Sequence, residues 1–273
     1  MSMQTVDSEH KLTAAGRVLA LLGAFAKGDG RLTLSEISRQ AGLSLSTTHR
    51  LVHEVLAWEG LEVDERGRYR LGPKILELAS SSTEGLRLRE KTLPFLTDLH
   101  RRTNMTVHLA VRDGSELIYL EALRPHANYT GENRIGGRLP MHVGGTGLTL
   151  LAFAPDDVVD EYLSRPLCRY TPQTIVEPER LRAVLDDIRR QRYAITRGLL
   201  TTRAGSVAAP VFGPDGEVCA AVGLVCLLGR HQPEDYAGLV RGAAARASHA
   251  LLDRPAPLSP GAQEFHRRHV AQA

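Results

Sequence analysis

Residues 33 to 60 constrain this chain more than any other stretch, because they spell two short capped helices joined by a glycine turn. Thr33 opens the first helix and Glu36 follows three residues on, the spacing of a capping box in which each side chain satisfies an orphan amide of the other. Ile37 and Ala41 supply the apolar face, and Gly42 suits the left-handed conformation that ends a helix. Ser44 then caps a second helix, predicted to run to Gly60. Two such helices across a tight turn form a helix-turn-helix, whose second helix lies in the major groove of DNA.

The second helix has two distinct sides. At about 100° per residue, Leu45, Thr48, Leu51, Val52, Val55 and Leu56 fall together, and Ser46, Arg50 and His53 fall opposite, with Thr47 and His49 on the flanks. Hydroxyl, imidazole and guanidinium groups bond to base edges and phosphates. The expected DNA contacts are therefore Ser44, Ser46, Thr47, His49 and Arg50, with Arg39 from the first helix on phosphate; Thr48 points inward. An ordinary amphipathic helix has the same polar outer face, and the preceding capped helix and the turn spacing are what favour DNA. Residues 61–63 and 69–71 then form β-like runs around a charged turn, a wing whose Arg66, Arg68 and Arg70 could reach phosphates or a minor groove. A solvated charged hairpin is the alternative.

The formal net charge of +3 is too small to argue for nucleic acid, but its distribution is informative. Six Lys or Arg against two acids lie between Lys11 and His53, five acids and no Lys or Arg between Glu54 and Glu65, and four basic residues and no acid between Arg66 and Lys74. Basic stretches facing phosphates would make affinity depend on salt. The first 78 residues sum to zero, so one copy should bind weakly and a dimer on two half-sites would bind better. A length of 273 residues suggests two domains. The polar, acidic start does not resemble a secretory signal, and no apolar run approaches the ~20 residues of a membrane helix. Cys168, Cys219 and Cys226 lack metal-ligand spacing, and the latter two fall in an apolar strand region where free cysteine packs as a small core residue. These features fit a reducing cytoplasm.

Residues 13–27 read as a leading helix, with Val18, Leu21, Leu22 and Phe25 on one face. Pro73 starts a linker helix carrying Ile75, Leu76, Leu78 and Ala79, whose apolar side could pair with a second copy. A helix follows around Leu93, Phe95, Leu96 and Leu99. Val107, Leu109 and Val111 then alternate as in a half-buried strand, which turns at Asp113-Gly114 into a return strand from Leu117. Helices are expected near 147–153, 156–164, 177–192 and 233–252, and the strongest strands at 206–212 and 218–228. This order implies an α+β domain on a largely antiparallel sheet.

Four stretches carry a family resemblance: LTLSEISRQAGLSLSTTHRLVHEVLAWEGLEVDERGRYRLGPKILELA, TVHLAVRDGSELIYLEAL, RLPMHVGGTGLTLLAF and RYAITRGLLTTRAGSVAAPVFGPDGEVCAAVGLV. In this order, within residues 12 to 252, they resemble the IclR family of bacterial transcriptional regulators. The resemblance implies an α+β chain with a winged helix-turn-helix at 12–72, a linker helix at 73–90, and a GAF-like effector-binding domain with an antiparallel sheet at 91–252. The proline-bearing tail at 253–273 is expected to be poorly ordered. It further implies homodimers or homotetramers on palindromic double-stranded DNA, a small-molecule effector, no cofactor, no metal, and no membrane partner. Family members control operons for catabolism of small organic acids and aromatics, sporulation or secondary metabolism. Repression is the first expectation here and activation the alternative.

The family's ligand-bordering loop, Pro-Leu-His-Ala-Thr-Ala-Leu-Gly, reads Pro140-Met141-His142-Val143-Gly144-Gly145-Thr146-Gly147 in this chain. Its amides at a helix N-terminus would suit a carboxylate, although a turn leading into a helix without any ligand would read alike. Ser206 matches the small polar residue before Ala-Ala-Pro. Gly223 and Val225 occupy positions that hold serines in some acid-binding members, and Thr196 and Arg197 stand where an acidic run is common. The implied effector set is His142, Gly144, Gly145, Thr146, Thr196, Ser206, Gly223 and Val225. Two missing hydroxyls imply a larger or partly apolar ligand. Arg197 either pairs with an acidic ligand or stands solvated.

An enzyme in the C-terminal domain is the competing class. His100, His108, His126 and His142 are available, with Ser206 or Cys226 as nucleophiles, yet no nucleophile elbow, metal pair or phosphate loop surrounds them. His100 on a helix and His108 on a strand read as ordinary structural or surface residues. A second domain serving only oligomerisation is a third reading, against which the glycine loop argues weakly.

Overall fold

The computed structural model describes residues 12–26, 30–80, 83–125 and 134–252. His126 and the tail at 253–273 lie outside the described residues. The chain divides into two compact units, Met1–Leu86 and Arg87–Ala273.

In the first unit, α1 (Ala14–Ala24), α2 (Leu34–Ala41) and α3 (Leu45–Ala57) surround one apolar core and lead into β1 (Leu61–Val63) and β2 (Tyr69–Leu71). The capping box at α2 is closed in both directions: Thr33 Oγ1 accepts from the Glu36 amide at 3.3 Å, and the Thr33 amide donates to Glu36 Oε2 at 2.8 Å. Gly42 is left-handed at φ 64°, which turns the chain toward α3. Leu21, Phe25, Ile37, Leu51, Val52 and Val55 fill the core. Leu32 bonds to Tyr69 in both directions, at 3.0 and 2.7 Å, and so ties the wing to the helices.

Two expectations need correction here. α3 ends at Ala57 rather than Gly60, because Glu59 takes the left-handed conformation at φ 62°. The Gly60 amide then reaches back to Val55 O at 2.9 Å and the Glu59 amide to Leu56 O at 2.9 Å, the paired bonds that close a helix. Leu45, expected on the inner side, is 52% exposed. It is the first helical residue, one turn before Thr48, which is the first residue of α3 that the core covers.

The expected linker region contains α4 (Pro73–Ser80), and α5 (Thr83–Thr103) then continues well past residue 90. The second unit holds β3 (Thr106–Asp113), β4 (Glu116–Leu123), β5 (Arg138–Pro140), α6 (Gly145–Ala152), α7 (Asp156–Ser164), α8 (Pro178–Gln191), β6 (Ala194–Arg197), β7 (Ala204–Phe212), β8 (Val218–Leu227) and α9 (Ala237–Leu252). Among the described residues, six strands of this unit form one antiparallel sheet in the order β5-β4-β3-β8-β7-β6. The two short edge strands β5 and β6 were not foreseen; three or four residues are too few to display an alternating pattern.

Strand alternation splits the sheet between two cores. Val107, Leu109, Val207, Ala209, Val222 and Leu224 pack with Leu96, Leu99, Val240 and Ala244 of α5 and α9. Ala110, Leu117, Tyr119 and Ala221 pack with Leu148 and Leu151 of α6, Val159 and Leu163 of α7, and Leu181 and Leu185 of α8. Cys226 is buried in the first of these cores, but Cys219, near the start of β8, is exposed, contrary to the expectation of a core residue.

Candidate nucleic-acid interface and ligand cavity

Ser44 holds the start of α3. Its Oγ accepts from the Thr47 amide at 3.3 Å, and the Ser44, Ser46 and Thr47 hydroxyls form a chain with spacings of 3.2 and 2.9 Å. Thr48 is fully buried and donates to Ser44 O at 2.9 Å, as its inward position requires. Ser44, Leu45, Ser46, His49, Arg50 and His53 are exposed, and Thr47 is half-buried. Arg50 donates to Glu54 Oε1 at 2.8 Å one turn on, and both side chains are more than half exposed. Such a pair contributes little to stability and is easily exchanged for another anion. The Nε2 atoms of His49 and His53 lie 3.2 Å apart, so one ring donates and the other accepts.

Arg39 is exposed in the last turn of α2. In the wing, Asp64 Oδ1 accepts the amides of Arg66 and Arg68, each at 2.9 Å, which organises the turn; the Arg68 amide bond is the leading cause that holds this carboxyl below the usual range. The three wing arginines differ in what they already touch. Arg66 is exposed at the tip, Arg70 binds Glu62 across the hairpin at 2.6 Å, and Arg68 donates to Arg31 O at 2.6 Å.

The second unit contains a partly open cavity of about 100 Å³ between the sheet and the start of α6. Two adjacent rows across the sheet contribute to it. One row runs Thr196, Ser206, Val225, Thr106 and the next Ala194, Ala208, Gly223, His108, by the pairing of β6, β7, β8 and β3. Of these, Thr196, Ser206, Val225, Gly223 and His108 line the cavity, and Gly144, Gly145 and Thr146 close it from the helix end. Leu139, Val143, Leu199 and Leu200 add apolar wall. Gly223 is required by close approach, since a Cβ there would sit 2.4 Å from Thr146 Cγ2.

The polar groups around this cavity are in part already paired. Ser206 Oγ accepts from the Gly145 amide at 3.1 Å and lies 2.6 Å from Thr196 Oγ1. Gly144, the residue that precedes α6, has no side chain to cap it, and Ser206 takes the first amide of the helix instead. The Tyr119 hydroxyl bonds to the Thr146 side chain, while burial pushes its pKa up to about 12. His108, 1% exposed, stacks on Tyr119 with centroids 4.3 Å apart. Burial, with a smaller contribution from Arg124, pushes its pKa down to about 3, so the ring is neutral. Its Nε2 is buried without a hydrogen-bond partner among the described residues.

Seven of the eight residues expected around an effector therefore line one cavity, and His142 does not. Its Nε2 lies 2.9 Å from Cys168 O, a carbonyl that only accepts, so Nε2 carries the proton and Nδ1 accepts from the Tyr162 hydroxyl at 2.8 Å. Both ring nitrogens are thus used in holding the loop, and burial lowers the pKa of the ring. His108 is the reverse case: expected to be ordinary, it is buried in the cavity wall. The period-two pattern contained the signal, since Val107 and Leu109 on one face place His108 on the other. Arg197 reaches Glu234 and Gln232 and is not a lining residue. His100 bonds to Met105 O at 2.6 Å at the end of α5.

Among the described residues, no histidine bonds to Ser206, no group of three or more His, Cys, Asp or Glu is placed to hold a metal ion, and no helix is long and apolar enough to cross a membrane.

Residues 14–64 match the family model of the IclR helix-turn-helix domain, and residues 80–249 match that of the bacterial transcriptional regulator IclR C-terminal domain. The chain is 32% identical to the HTH-type transcriptional regulator XynR of Escherichia coli, over 78% of this chain and 86% of the relative. It is 30% identical to the transcriptional repressor IclR of the same organism, over 82% and 83%. A solved IclR homolog from Microbacterium hydrocarbonoxydans, complexed with 4-hydroxybenzoate, superimposes with a TM-score of 0.80 at 35% identity, covering 86% of this chain and 97% of that one.

Proposed function

The chain belongs to the IclR family of bacterial transcriptional regulators, and from this premise we propose that it is a repressor whose grip on a palindromic operator is altered by a small aromatic or organic acid. The observation that carries the reading is the partly open cavity, which joins apolar walls to hydroxyls, a neutral imidazole and the start of α6, where Ser206 takes only the Gly145 amide. A carboxylate would sit against the first turn of α6, where backbone amides and the helix dipole favour negative charge. The space of about 100 Å³ is smaller than the roughly 150 Å³ that holds benzene in another protein, so an aromatic acid would have to extend through the open side of the cavity. The 4-hydroxybenzoate complex of the Microbacterium homolog and the repressor function of the E. coli relative support ligand class and sign of regulation.

On DNA, Ser44, Ser46, Thr47, His49 and Arg50 read and position the major groove, and Arg39 and the wing arginines contact phosphates, Arg66 foremost because Arg68 and Arg70 are already paired. Two copies act together. The zero charge of the first 78 residues favours paired half-sites. Exposed Leu19 on α1, with Leu76 and Leu78 on α4, at 68%, 72% and 54%, offers apolar surface for a partner copy. The effector shifts the balance between dimer or tetramer geometries with different half-site spacing. The protein works in the cytoplasm and catalyses no reaction.

A mobility-shift titration on the upstream intergenic DNA, across a salt series and with aromatic acids added, tests this. The expected result is a competitor-resistant complex that weakens with salt and dissociates with an acid. Binding only to competitor and operator alike would refute the operator, and an acid that tightens the complex would turn the reading to an effector-dependent binder or activator.

A further inference from the structure

Among the described residues, one buried side-chain nitrogen or oxygen of the cavity lining lacks a hydrogen-bond partner. Ser206 is held by Gly145 and Thr196, and Tyr119 by Thr146. The unpartnered atom is His108 Nε2, on a side chain that lines the cavity. A buried nitrogen without a partner is uncommon in a folded protein and calls for an explanation. The ring stacks on Tyr119, and the antiparallel register pairs His108 with Gly223, which has no side chain, on the β8 side.

We propose that His108 selects the effector by its hydroxyl group: Nε2 hydrogen-bonds a hydroxyl on the ring of a small aromatic acid, while the carboxylate lies at the start of α6. This rests on the aromatic-acid reading of the cavity given above. The chemistry favours a hydroxyl over a second charged group. The imidazole is neutral at ordinary pH because burial disfavours its protonated form, so it offers no counter-charge. A hydroxyl both donates and accepts, and so satisfies Nε2 in either tautomer. An acid without the hydroxyl would leave the nitrogen without a partner.

The test is calorimetric titration of the full chain with benzoate and with 2-, 3- and 4-hydroxybenzoate, repeated on His108→Phe and His108→Gln. The wild-type protein should bind at least one hydroxybenzoate about tenfold more tightly than benzoate, the effect of one neutral hydrogen bond. His108→Phe keeps an aromatic ring on Tyr119 but should erase that preference and leave benzoate affinity within about threefold. His108→Gln, whose amide nitrogen can stand near the place of Nε2, should retain part of it. A wild-type protein that binds benzoate as well as every hydroxybenzoate overturns the proposal without recourse to any variant. So does an undiminished preference in His108→Phe, and so does an equal loss of all four acids, which would make His108 a carboxylate contact. If none of the four acids binds the wild-type protein, the aromatic-acid reading of the cavity falls, and this inference falls with it.

Discussion

The two units put their polar side chains to opposite uses. Around α3, the hydroxyls, imidazoles and guanidinium stand outside an apolar core, and they satisfy one another or water: Ser44 with Ser46 and Thr47, His49 with His53, Arg50 with Glu54. Around the cavity of the second unit, Thr146, Thr196, Ser206 and His108 are buried, at 9% exposure or less. Exposed polar groups tolerate imperfect pairing because water completes it, whereas buried ones demand a partner of fixed geometry. The first unit is thus a surface that gains contacts on DNA, and the second is a shell of residues held in register around an interior space.

Three measurements would break or sharpen this contrast. The largest effect is expected where the shell is tightest. A Cβ at Gly147 would sit 2.3 Å from Met141 O and 2.6 Å from Met141 Cα, both backbone atoms that cannot swing away. Gly147→Ala should therefore destabilise the second unit by about 3 kcal/mol or more, seen as a lowered transition in scanning calorimetry. An unchanged transition would show that the α6 start yields more easily than its geometry indicates.

Acid sensitivity should come next in size, and it should come from the second unit. His108 titrates at about 3 when folded, against an ordinary value of 6.5. As pH falls, the unfolded chain takes up this proton first, so the stability associated with neutral His108 is complete above pH 6.5 and is lost from there toward pH 3. The loss approaches about 1.4 kcal/mol per pH unit. Urea denaturation of the wild-type protein between pH 6.5 and 4.5 should show this slope. His108→Phe should flatten it, leaving a residue from His142, whose pKa is also lowered by burial. Equal slopes in both proteins would remove His108 from the account.

The surface of α3 should respond most gently, and on DNA rather than on stability. Arg50→Ala should weaken operator binding by about 1–3 kcal/mol with little change in unfolding. Relaxed specificity at one base pair would mark a guanine contact, and an equal loss on all sequences a phosphate contact. Glu54→Gln frees the guanidinium from its exposed pair and should tighten binding by about two- to threefold. Unchanged operator binding by Arg50→Ala would show that the polar face of α3 is not the reading face.

The same contrast explains which parts were legible beforehand. The capping box, the Gly42 turn, the Ser44 cap and the inward Thr48 are local features that depend on residues within one or two turns. Strand alternation likewise announced β3, the Asp113-Gly114 turn announced β4, and β7 and β8 were the strongest strand signals along the chain. Leu45 was misplaced because the helical wheel continues evenly to the end of a helix, whereas the core does not. His142 and His108 exchanged their expected importance for a related reason. What decides a histidine's role is which groups from distant segments surround it: Tyr162 and Cys168 in one case, Tyr119 and Gly223 in the other.

By itself, then, the sequence determined the local elements, the outward polar face of α3 and the alternation that sends His108 to the face opposite Val107 and Leu109. Tertiary structure alone decided that four strands bring Thr196, Ser206, Val225, Gly223 and His108 into two adjacent rows beneath the start of α6. It also decided that His108 Nε2 is buried without a partner among the described residues. Hydrogen bonds and steric periods act over a few residues and can be read along the chain. Strand order, register and burial arise from contacts between residues dozens of positions apart, and those exist only once the sheet has formed.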